Sequence, residues 1–400
     1  MKKIIITSLL IAFTLSIAIA QKKSVSVTRD NNEYVLQIKD DAQNVQLTVK
    51  GEISFTNDEK AIEKLSSGAK ISYRKNNDEL EVTPGDNGSA VYTINGIIKT
   101  NLETVDKNFI AQCVQLMIDN GAGAKERVAK LYNQGGFPLV LKEVDRISTD
   151  YARYIYLNYL GTNHSLTDNE MLSFLNKTDT LLSSDYYRAE LLNGIQENYL
   201  RKEVTANAYL ENIKNIKSDY YQYTTLKKLL NSSLAEKQFE KVLSIVSSMK
   251  SDYYEAEVLK MLLKGNAISD QIFSQLINAT ANIKSDYYKS EIISSLLSNE
   301  SLNKNRYSKT IDAMLNMTSN YYKVSILKKL INADVKDEKE WSKLLGYTAK
   351  INSDYEKSEV LIKIASKMPA DKTLKSQYTE VAKSIGSDYY YGRVVRALDK

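Results

Sequence analysis

The sequence contains few of the residues that cross-link or interrupt a fold. Its 400 residues include one cysteine, three prolines, one histidine and one tryptophan. Because Cys113 has no second cysteine to pair with, an internal disulfide is excluded and stability must come from packing. Cys113 lies on the apolar face of "FIAQCVQLMI", which predicts a buried structural thiol.

The residues that usually carry catalysis or bind metals are also scarce. One histidine and one cysteine, far apart in the chain, exclude a Cys/His zinc cluster. His164 lies in the polar segment "GTNHSL", which predicts a solvated loop residue and a poor member of a Ser-His-Asp triad. "GAGAKE", from Gly121, lacks the preceding strand and the closing Lys-Ser/Thr pair of a phosphate loop, and indicates a helix end followed by a new helix start.

These absences predict a protein that is not an enzyme, with no catalytic residue, metal or cofactor. Carboxylates are abundant, but they lie on polar faces and in loops, so their pairing carries no signal. A hydrolase that uses two carboxylates remains an alternative. It would require a deep pocket holding two acids with shifted pKa values.

Neither sign of charge dominates. Lysine plus arginine number 54 and aspartate plus glutamate 49, and both signs are interleaved without a basic stripe. Nucleic acid and anionic membrane are therefore not expected as partners. Beyond the N-terminal segment, no run is apolar enough to cross a bilayer.

The first twenty residues have the pattern of an export signal. Lys2 and Lys3 precede an apolar run, and Ala18-Ile19-Ala20 supplies the small residues that signal peptidase requires. Cleavage is predicted after Ala20. No cysteine follows the site, so a lipid anchor is not expected there. The sequence thus predicts an exported protein, periplasmic or secreted, with no membrane span after cleavage.

Residues 21–100 are predicted to form a compact, mostly antiparallel β unit. Short runs such as "YVLQIK", "VQLTVKGEISF" and "ELEVT" alternate apolar and polar residues. Turn clusters separate them, including Asn87-Gly88, which suits a turn with positive φ. Five to seven strands are expected, and "DEKAIEKL" is a possible short helix.

Residues 101–400 are predicted to be helical. The first helix covers "LETVDKNFIAQCVQLMIDN" and ends at Gly121. Two shorter helices follow, "KERVAKLYNQGG" and "FPLVLKEVDRIS", the second opened by Pro138. Short polar loops join the later helices.

A repeat dominates this helical region. The signature Ser-Asp-Tyr, or a close variant, starts at 184, 218, 251, 285, 319, 353 and 387, with steps of 34, 33, 34, 34, 34 and 34 residues. A degenerate copy, "TDYA", starts at Thr149. Each period predicts two helices, the second starting at the signature with its serine or aspartate as N-cap, and "SDYE" at Ser353 predicts a capping box with Glu356.

Each helix of a pair carries one apolar stripe. Positions 7, 8 and 11 after the signature serine are apolar, as in Val258, Leu259 and Leu262, and the partner helices carry Phe239, Phe273, Tyr307 and Trp341. A lone pair cannot cover both stripes, whereas stacked pairs can. The predicted fold class is therefore α+β, a small N-terminal antiparallel β unit followed by a right-handed α-hairpin solenoid. The Trp/Gly/Tyr/Ala/Pro pattern of tetratricopeptide repeats is missing, so a HEAT-like hairpin fits better.

The signature tyrosines have two possible roles. The first tyrosine is present in every copy and lies off its own helix's core, which favours a structural joint with the neighbouring repeat. These residues are Tyr151, Tyr186, Tyr220, Tyr253, Tyr287, Tyr321, Tyr355 and Tyr389. The second tyrosine is replaced by Ala152 and Glu356 in two copies and is expected to be half exposed. Ligand contact is predicted for these second tyrosines: Tyr187, Tyr221, Tyr254, Tyr288, Tyr322 and Tyr390.

One segment resembles a known module. "GAGAKERVAKLYNQGGFPLVLKEVDRISTDYARYIYLNYL", from Gly121 to Leu160, is similar to a bacterial module in which G-x-x-A-x-x-R-V-x-x-(L/I) precedes an I-x-S-D-Y helical repeat. "GEISFTNDEKAIEKLSSGAKISYRK" resembles the β segment before that module. The module forms the extracytoplasmic tail of some membrane metallopeptidases of the β-lactam-sensor type.

The likeness covers residues 45 to 400 and implies only that tail, with a sensing or interaction role. The peptidase family needs H-E-x-x-H and transmembrane helices, and this chain has neither. No catalytic residue is carried over. The predicted function is a non-enzymatic exported scaffold whose solenoid surface binds a protein or peptide. The alternative is a carbohydrate-binding module that uses a row of exposed tyrosines.

Overall fold

A computed structural model of the chain describes residues 24–30, 33–39, 43–231, 236–263, 269–299, 303–314, 316–333 and 337–398. The predicted export signal, residues 1–20, lies outside the described residues. Among those described, no helix combines the length and apolar character that a bilayer span needs. The chain divides into two compact units, Met1–Gly194 and Ile195–Lys400.

The first unit contains nine described strands, all paired antiparallel. They are β1 (Ser24–Asp30), β2 (Glu33–Lys39), β3 (Asn44–Lys50), β4 (Ile53–Phe55), β5 (Ile62–Leu65), β6 (Lys70–Lys75), β7 (Asp78–Pro84), β8 (Ala90–Ile94) and β9 (Ile97–Ile98). Seven of them form one sheet in the order β1-β2-β3-β6-β7-β8-β9, and β4 and β5 form a separate pair.

The sheet buries one face, as the alternating sequence predicts. Leu47 on β3 lies between Leu36 on β2 and Tyr73 on β6 in the strand register, and all three are buried. The first helix covers this face, and its buried Cys113 and Met117 belong to the same core. The thiol prediction is confirmed, and burial raises the pKa of Cys113 well above its usual range.

The possible helix at "DEKAIEKL" is wrong. Residues 62–65 form β5, in which Ile62 and Leu65 are both buried. The backbone N–H of Ile62 donates to the buried Tyr92 hydroxyl, and that hydroxyl donates to the Ile62 carbonyl, each at 3.0 Å. Apolar residues three apart fit either a helix or a twisted strand, and this contact from β8 selects the strand.

Five helices complete the first unit, namely α1 (Thr104–Asp119), α2 (Ala124–Arg146), α3 (Asp150–Asn163), α4 (Asp168–Leu181) and α5 (Asp185–Gly194). Gly121, with φ +85°, follows the end of α1 as predicted. Helix α2 contains a break at Gly136, where φ is 65° and ψ is −161°. The break matches the two predicted helices, with Pro138 at the start of the second.

The second unit contains thirteen described helices. They are α6 (Glu197–Leu200), α7 (Glu203–Lys214), α8 (Asp219–Leu230), α9 (Glu236–Val246), α10 (Asp252–Leu263), α11 (Asp270–Asn282), α12 (Asp286–Asn299), α13 (Lys304–Ala313), α14 (Asn320–Asn332), α15 (Glu338–Ala349), α16 (Asp354–Ala365), α17 (Lys372–Lys383) and α18 (Asp388–Leu398).

These helices form two stacked layers. The signature helices α8, α10, α12, α14, α16 and α18 pack each against the next, and so do α7, α9, α11, α13, α15 and α17. Val258, Leu259 and Leu262 are fully buried, as are the aromatic rings at 273 and 307. The predicted fold class, an antiparallel β sheet followed by α-hairpin repeats, is confirmed.

Every signature helix begins at the residue after the signature serine or threonine, as predicted. Fewer of these serine and threonine side chains cap their helix than expected. Thr149 and Ser353 accept from backbone N–H groups of the first turn at 3.3 Å, whereas Ser218 and Ser319 make no such side-chain bond. The predicted reciprocal bond from Glu356 is not among the bonds of the described residues.

Candidate functional site

The first tyrosine of each signature from Ser184 onward is exposed, whereas Tyr151 is half-buried. In the second unit, between 45% and 70% of the side chain of each first tyrosine is accessible. These residues occupy the first turn of successive signature helices, so the stacking of the helices arranges them at one edge of the layer. The row formed by Tyr220, Tyr221, Tyr253, Tyr254, Tyr287, Tyr288, Tyr321 and Tyr322 is called here the tyrosine ladder.

Three second tyrosines of the ladder, Tyr254, Tyr288 and Tyr322, are half-buried, each between two first tyrosines. The ring centroid of Tyr288 lies 5.0 Å from that of Tyr287 in its own helix. It lies 6.0 Å from that of Tyr253 in the preceding repeat, with the two rings inclined at 59°. The same two contacts recur for Tyr254 and Tyr322. Inclined arrangements of this kind are favourable for aromatic rings.

Substitution at the second position shows what that ring does. Glu356 replaces the second tyrosine after Tyr321, and Tyr321 is 70% exposed. Tyr253 and Tyr287, each followed by a second tyrosine one repeat later, are 45% exposed. The second ring therefore partly covers the first ring of the preceding repeat, and this cover keeps the ladder continuous from 220 to 322.

The same kind of cluster occurs in the first unit. The ring of Tyr187 lies 5.7 Å from Tyr151, 5.3 Å from Tyr154 and 5.2 Å from Tyr186. Near the C terminus, Tyr390 contacts Tyr355 at 5.9 Å and Tyr389 at 5.1 Å. In both clusters the second tyrosine contacts its own first tyrosine and the first tyrosine of the preceding repeat.

The first tyrosine was expected to form the joint between repeats. Its ring contacts the next repeat, but its side chain remains exposed. A stronger connection is made by the aspartate beside it. The Oδ2 atom of Asp219 accepts from the backbone N–H groups of Lys250 at 2.8 Å and Ser251 at 2.7 Å, one repeat later.

Equivalent bonds join four further pairs of repeats. The carboxylates of Asp150, Asp252, Asp286 and Asp354 accept from the N–H groups of Ser184, Ser285, Ser319 and Ser387, respectively. Burial acts to raise the pKa of Asp286, but the bonds from Ser319 and Thr318 outweigh it and the pKa is lowered. The sequence pattern assigned this aspartate to the N-cap or to the helix dipole, and not to a bond with the next repeat. Its presence in every copy except the one with Asn320 was the signal.

A buried polar side chain occupies position 4 of most signatures. Arg153, Arg188 and Gln222 each donate to the backbone carbonyl six residues earlier, that is to Ile147, Leu182 and Ile216. These carbonyls lie just beyond the preceding helix, so the side chain closes the turn between the two helices of a repeat. Position 4 is mostly polar in the sequence, but its role in closing this turn was not predicted.

Glu255 is the exception at position 4. Its side chain is 5% exposed, and its Oε1 atom makes no hydrogen bond to a described residue. Burial raises the pKa of Glu255 to about 7, with further contributions from the negative charges of Asp252 and Asp219. A carboxylate has no proton to donate to a carbonyl, so this repeat has an acceptor where the others have a donor.

Ion pairs connect successive signature helices beside the ladder. Lys260 Nζ lies 3.1 Å from Glu291 Oε2 in the next repeat, and the Tyr287 hydroxyl donates to Glu291 Oε1 at 3.0 Å. Further along, Glu359 lies 3.6 Å from Lys328 and 3.2 Å from Arg393. The surface next to the rings is therefore polar and nearly neutral.

His164 is placed differently from the prediction. Its ring stacks on Tyr132 with centroids 3.5 Å apart, and its Nε2 atom is buried with no hydrogen-bond partner among the described residues. His164 lies in the loop after α3, as predicted, but it is only half exposed, because Tyr132, 32 residues upstream on α2, covers the imidazole. Among the described residues, no group of three or more His, Cys, Asp or Glu side chains is placed to hold a metal ion.

The segment that carried the family resemblance joins the sheet to the helices. Arg127 is 5% exposed and binds Glu59 through two hydrogen bonds of 2.6 Å. It also donates to Glu143 at 2.9 Å and to the Tyr156 hydroxyl. A Cβ atom at Gly123, where φ is +63°, would lie 2.8 Å from the Phe55 ring. The arginine of the motif therefore has a structural use at this contact, and Gly123, which lies between the glycine and the alanine of the motif, allows the close approach of Phe55.

Comparison with known proteins adds little. No family model matches the chain, and no curated protein matches it. One solved chain, described as "Computational Design of Self-Assembling Cyclic Protein Homooligomers", is similar at 12% identity over 69% of this chain and 92% of that chain, with a TM-score of 0.13. A TM-score this low supports no conclusion on fold or function.

Proposed function

We propose that this chain is a non-enzymatic, exported interaction scaffold that binds an extended segment of a protein partner along the tyrosine ladder. The observation that carries the proposal is the row of first tyrosines, each about half exposed and each held by a second ring beneath it. A repeat fold of this kind is compatible with a scaffold or binding role.

The rings suit protein recognition for a physical reason. Tyrosine offers a large contact area with few rotatable bonds, so little conformational entropy is lost when a partner binds. Here the second tyrosine restricts the first before any partner arrives, which lowers that cost further. Because the ladder advances one repeat at a time, it matches an extended chain better than a compact ligand.

The family resemblance belongs to the same proposal. The module it points to is an extracytoplasmic tail with an interaction role, and the G-x-x-A-x-x-R-V segment would position the β sheet on the helices rather than take part in chemistry. Export, the absence of catalysis and a protein partner are parts of the proposal that experiments must test.

Site-specific crosslinking tests the ladder directly. A photoreactive phenylalanine analogue at Tyr253 or Tyr287 should give a discrete crosslinked product in cells that export the protein. The same residue at Asn278, exposed on α11 in the other helix layer, serves as the matched control. Equal crosslinking at Asn278, or none at the ladder, would contradict the proposal.

A binding measurement follows with the captured partner. Replacing both Tyr253 and Tyr287 by serine should weaken binding at least 30-fold, on the order of 2 kcal/mol, as expected for central aromatic contacts. The unfolding midpoint of the variant should be measured beside it, since loss of a first ring also removes a contact to the next repeat.

A further inference from the structure

A hollow interrupts the polar surface beside the ladder, between α12 and α14. Its volume is about 500 Å³, and it is lined by serine and tyrosine residues together with Lys260, Glu291 and Lys329. The serines are Ser290, Ser294, Ser295, Ser298 and Ser325, and the aromatic walls are Tyr287, Tyr321 and Tyr322.

The hollow arises from a substitution at two equivalent positions of the repeat. Position 9 of one signature helix faces position 6 of the next. In the repeats on either side, this pair is a lysine and a glutamate, Lys260 with Glu291 and Lys328 with Glu359. Between them, the same two positions hold Ser294 and Ser325. Two small side chains replace one ion pair, and the space that the long side chains fill elsewhere is open.

The lining limits what could occupy this space. The hydroxyls of Ser290 and Ser298 donate to carbonyls of their own helix, whereas no hydrogen bond to a described residue is shown for those of Ser294, Ser295 and Ser325. The carboxylate of Glu291 already receives bonds from Lys260 and Tyr287. An apolar ligand would cover hydroxyls without satisfying them, which is unfavourable. An anion would find a single lining cation for which no ion pair is shown among the described residues, namely Lys329.

A neutral ligand with several hydroxyl groups satisfies this lining best. Serine hydroxyls both donate and accept, as sugar hydroxyls do, and aromatic rings recur where the apolar face of a ligand must be covered. We infer that the hollow between α12 and α14 binds a pyranose ring of a neutral saccharide. The inference goes beyond the proposed function by adding a saccharide ligand, and Tyr287, Tyr321 and Tyr322 belong both to the ladder and to the lining of the hollow.

The repeat itself supplies a sharp test. Ser294→Lys combined with Ser325→Glu recreates the ion pair of the neighbouring repeats and fills the hollow without altering a tyrosine. Saturation-transfer NMR with methyl glycosides of glucose, galactose, mannose and N-acetylglucosamine measures weak sugar binding to the full exported chain. The unaltered protein should transfer saturation to ring protons of at least one glycoside, and the double variant should reduce that transfer at least fivefold.

A matched control separates the hollow from general surface effects. Lys328→Ser with Glu359→Ser removes the next ion pair but leaves the lining of the hollow intact, so the signal should persist. If the double variant does not fold, Ser325→Gln, at an exposed position, occupies the same space. Absence of transfer to all four glycosides, or unchanged transfer in the filled variants, would overturn the inference. Neither result would affect crosslinking at Tyr253.

Discussion

The Oδ2 atom of Asp252 accepts a hydrogen bond of 2.7 Å from the backbone N–H of Ser285, the residue that precedes the next signature helix. It also accepts from Lys284 N–H at 3.1 Å. One carboxylate thus satisfies two backbone donors that the next helix cannot satisfy itself. The bond ties the first turn of one signature helix to the start of the next, and the tyrosines of the ladder lie in these first turns.

Asp252→Ala should destabilise the second unit by about 1–3 kcal/mol, because the half-buried N–H of Ser285 and the exposed N–H of Lys284 lose a charged acceptor. Urea unfolding measures the loss, and hydrogen exchange at Ser285 should show it locally. Asp312→Ala is the control, since its carboxylate makes only a long, exposed contact with Lys343 at 3.4 Å. A change below 0.5 kcal/mol is expected there. We call the bond from the signature aspartate to the next repeat the aspartate clamp. Equal effects in both variants would contradict its role in stability.

The copy with Asn320 offers the reverse experiment. Among the described residues, Asn320 makes no equivalent bond to Ser353. Asn320→Asp should restore it and raise the free energy of unfolding by about 1 kcal/mol. The same substitution supplies a negative charge at the helix N terminus, so the hydrogen-exchange protection of the Ser353 amide distinguishes the clamp from the dipole effect. Stabilisation without that protection would favour the dipole alone.

Arg127→Ala should cost about 3–5 kcal/mol in the first unit, because it leaves Glu59 and the mostly buried Glu143 without their shared cation. Arg146→Ala is the matched control. Arg146 also contacts Glu143, at 3.4 Å, but its side chain is 74% exposed, and its loss should change stability by less than about 0.5 kcal/mol. Unfolding followed by circular dichroism in the β-sheet region compares the two. Similar losses would show that burial of Arg127 contributes nothing special.

The sequence was sufficient to predict the repeat step and the helix starts, because apolar stripes and signature residues recur with one period. Val258 and Ile292 are buried for the reason the stripe indicates. The clamp was not predicted, because the partners of Asp252 are backbone N–H groups, which no residue type marks. The strand at Ile62 and the stacking of Tyr132 on His164 also depend on residues about 30 positions away. The local residue pattern does not predict contacts between residues so far apart in the chain.

The candidate site shows the same limit. The half exposure of the second tyrosines agrees with the expectation drawn from their loss in two copies. The exposure of the first tyrosines was not expected, since an invariant position suggested packing. The joint is made by the neighbouring aspartate, which recurs together with the tyrosine, so the recurrence alone did not show which of the two residues makes it.

Stability should fall as pH rises from about 4.5 to about 7 because of Glu255. Its pKa is raised from 4.5 to about 7 in the folded chain. Over this range the folded state holds a proton that the unfolded state has released. Raising the pH therefore lowers the free energy of unfolding, by up to about 3 kcal/mol in total. Below pH 4.5 both states are protonated and the full stability is present. By analogy with Gln222, the protonated carboxyl is expected to donate to the Met249 carbonyl.

Glu255→Gln isolates this effect, since glutamine donates at every pH, as Gln222 does in the preceding repeat. The variant should match the parent near pH 4.5 and exceed it at pH 8, with the difference growing through the interval. Denaturant midpoints measured at matched ionic strength provide the comparison. A difference independent of pH would mean that Glu255 ionises in the folded chain as easily as in the unfolded one.

Glu356→Tyr should extend the ladder by one repeat. The new ring would cover Tyr321 as Tyr322 covers Tyr287, so the exposure of Tyr321 should fall from 70% toward the 45% of Tyr287. Slower nitration of Tyr321, located by mass spectrometry, measures this cover. Glu356→Leu is the control, because it removes the charge without supplying an aromatic ring. If leucine protects Tyr321 equally, buried apolar area rather than the inclined ring contact explains the cover.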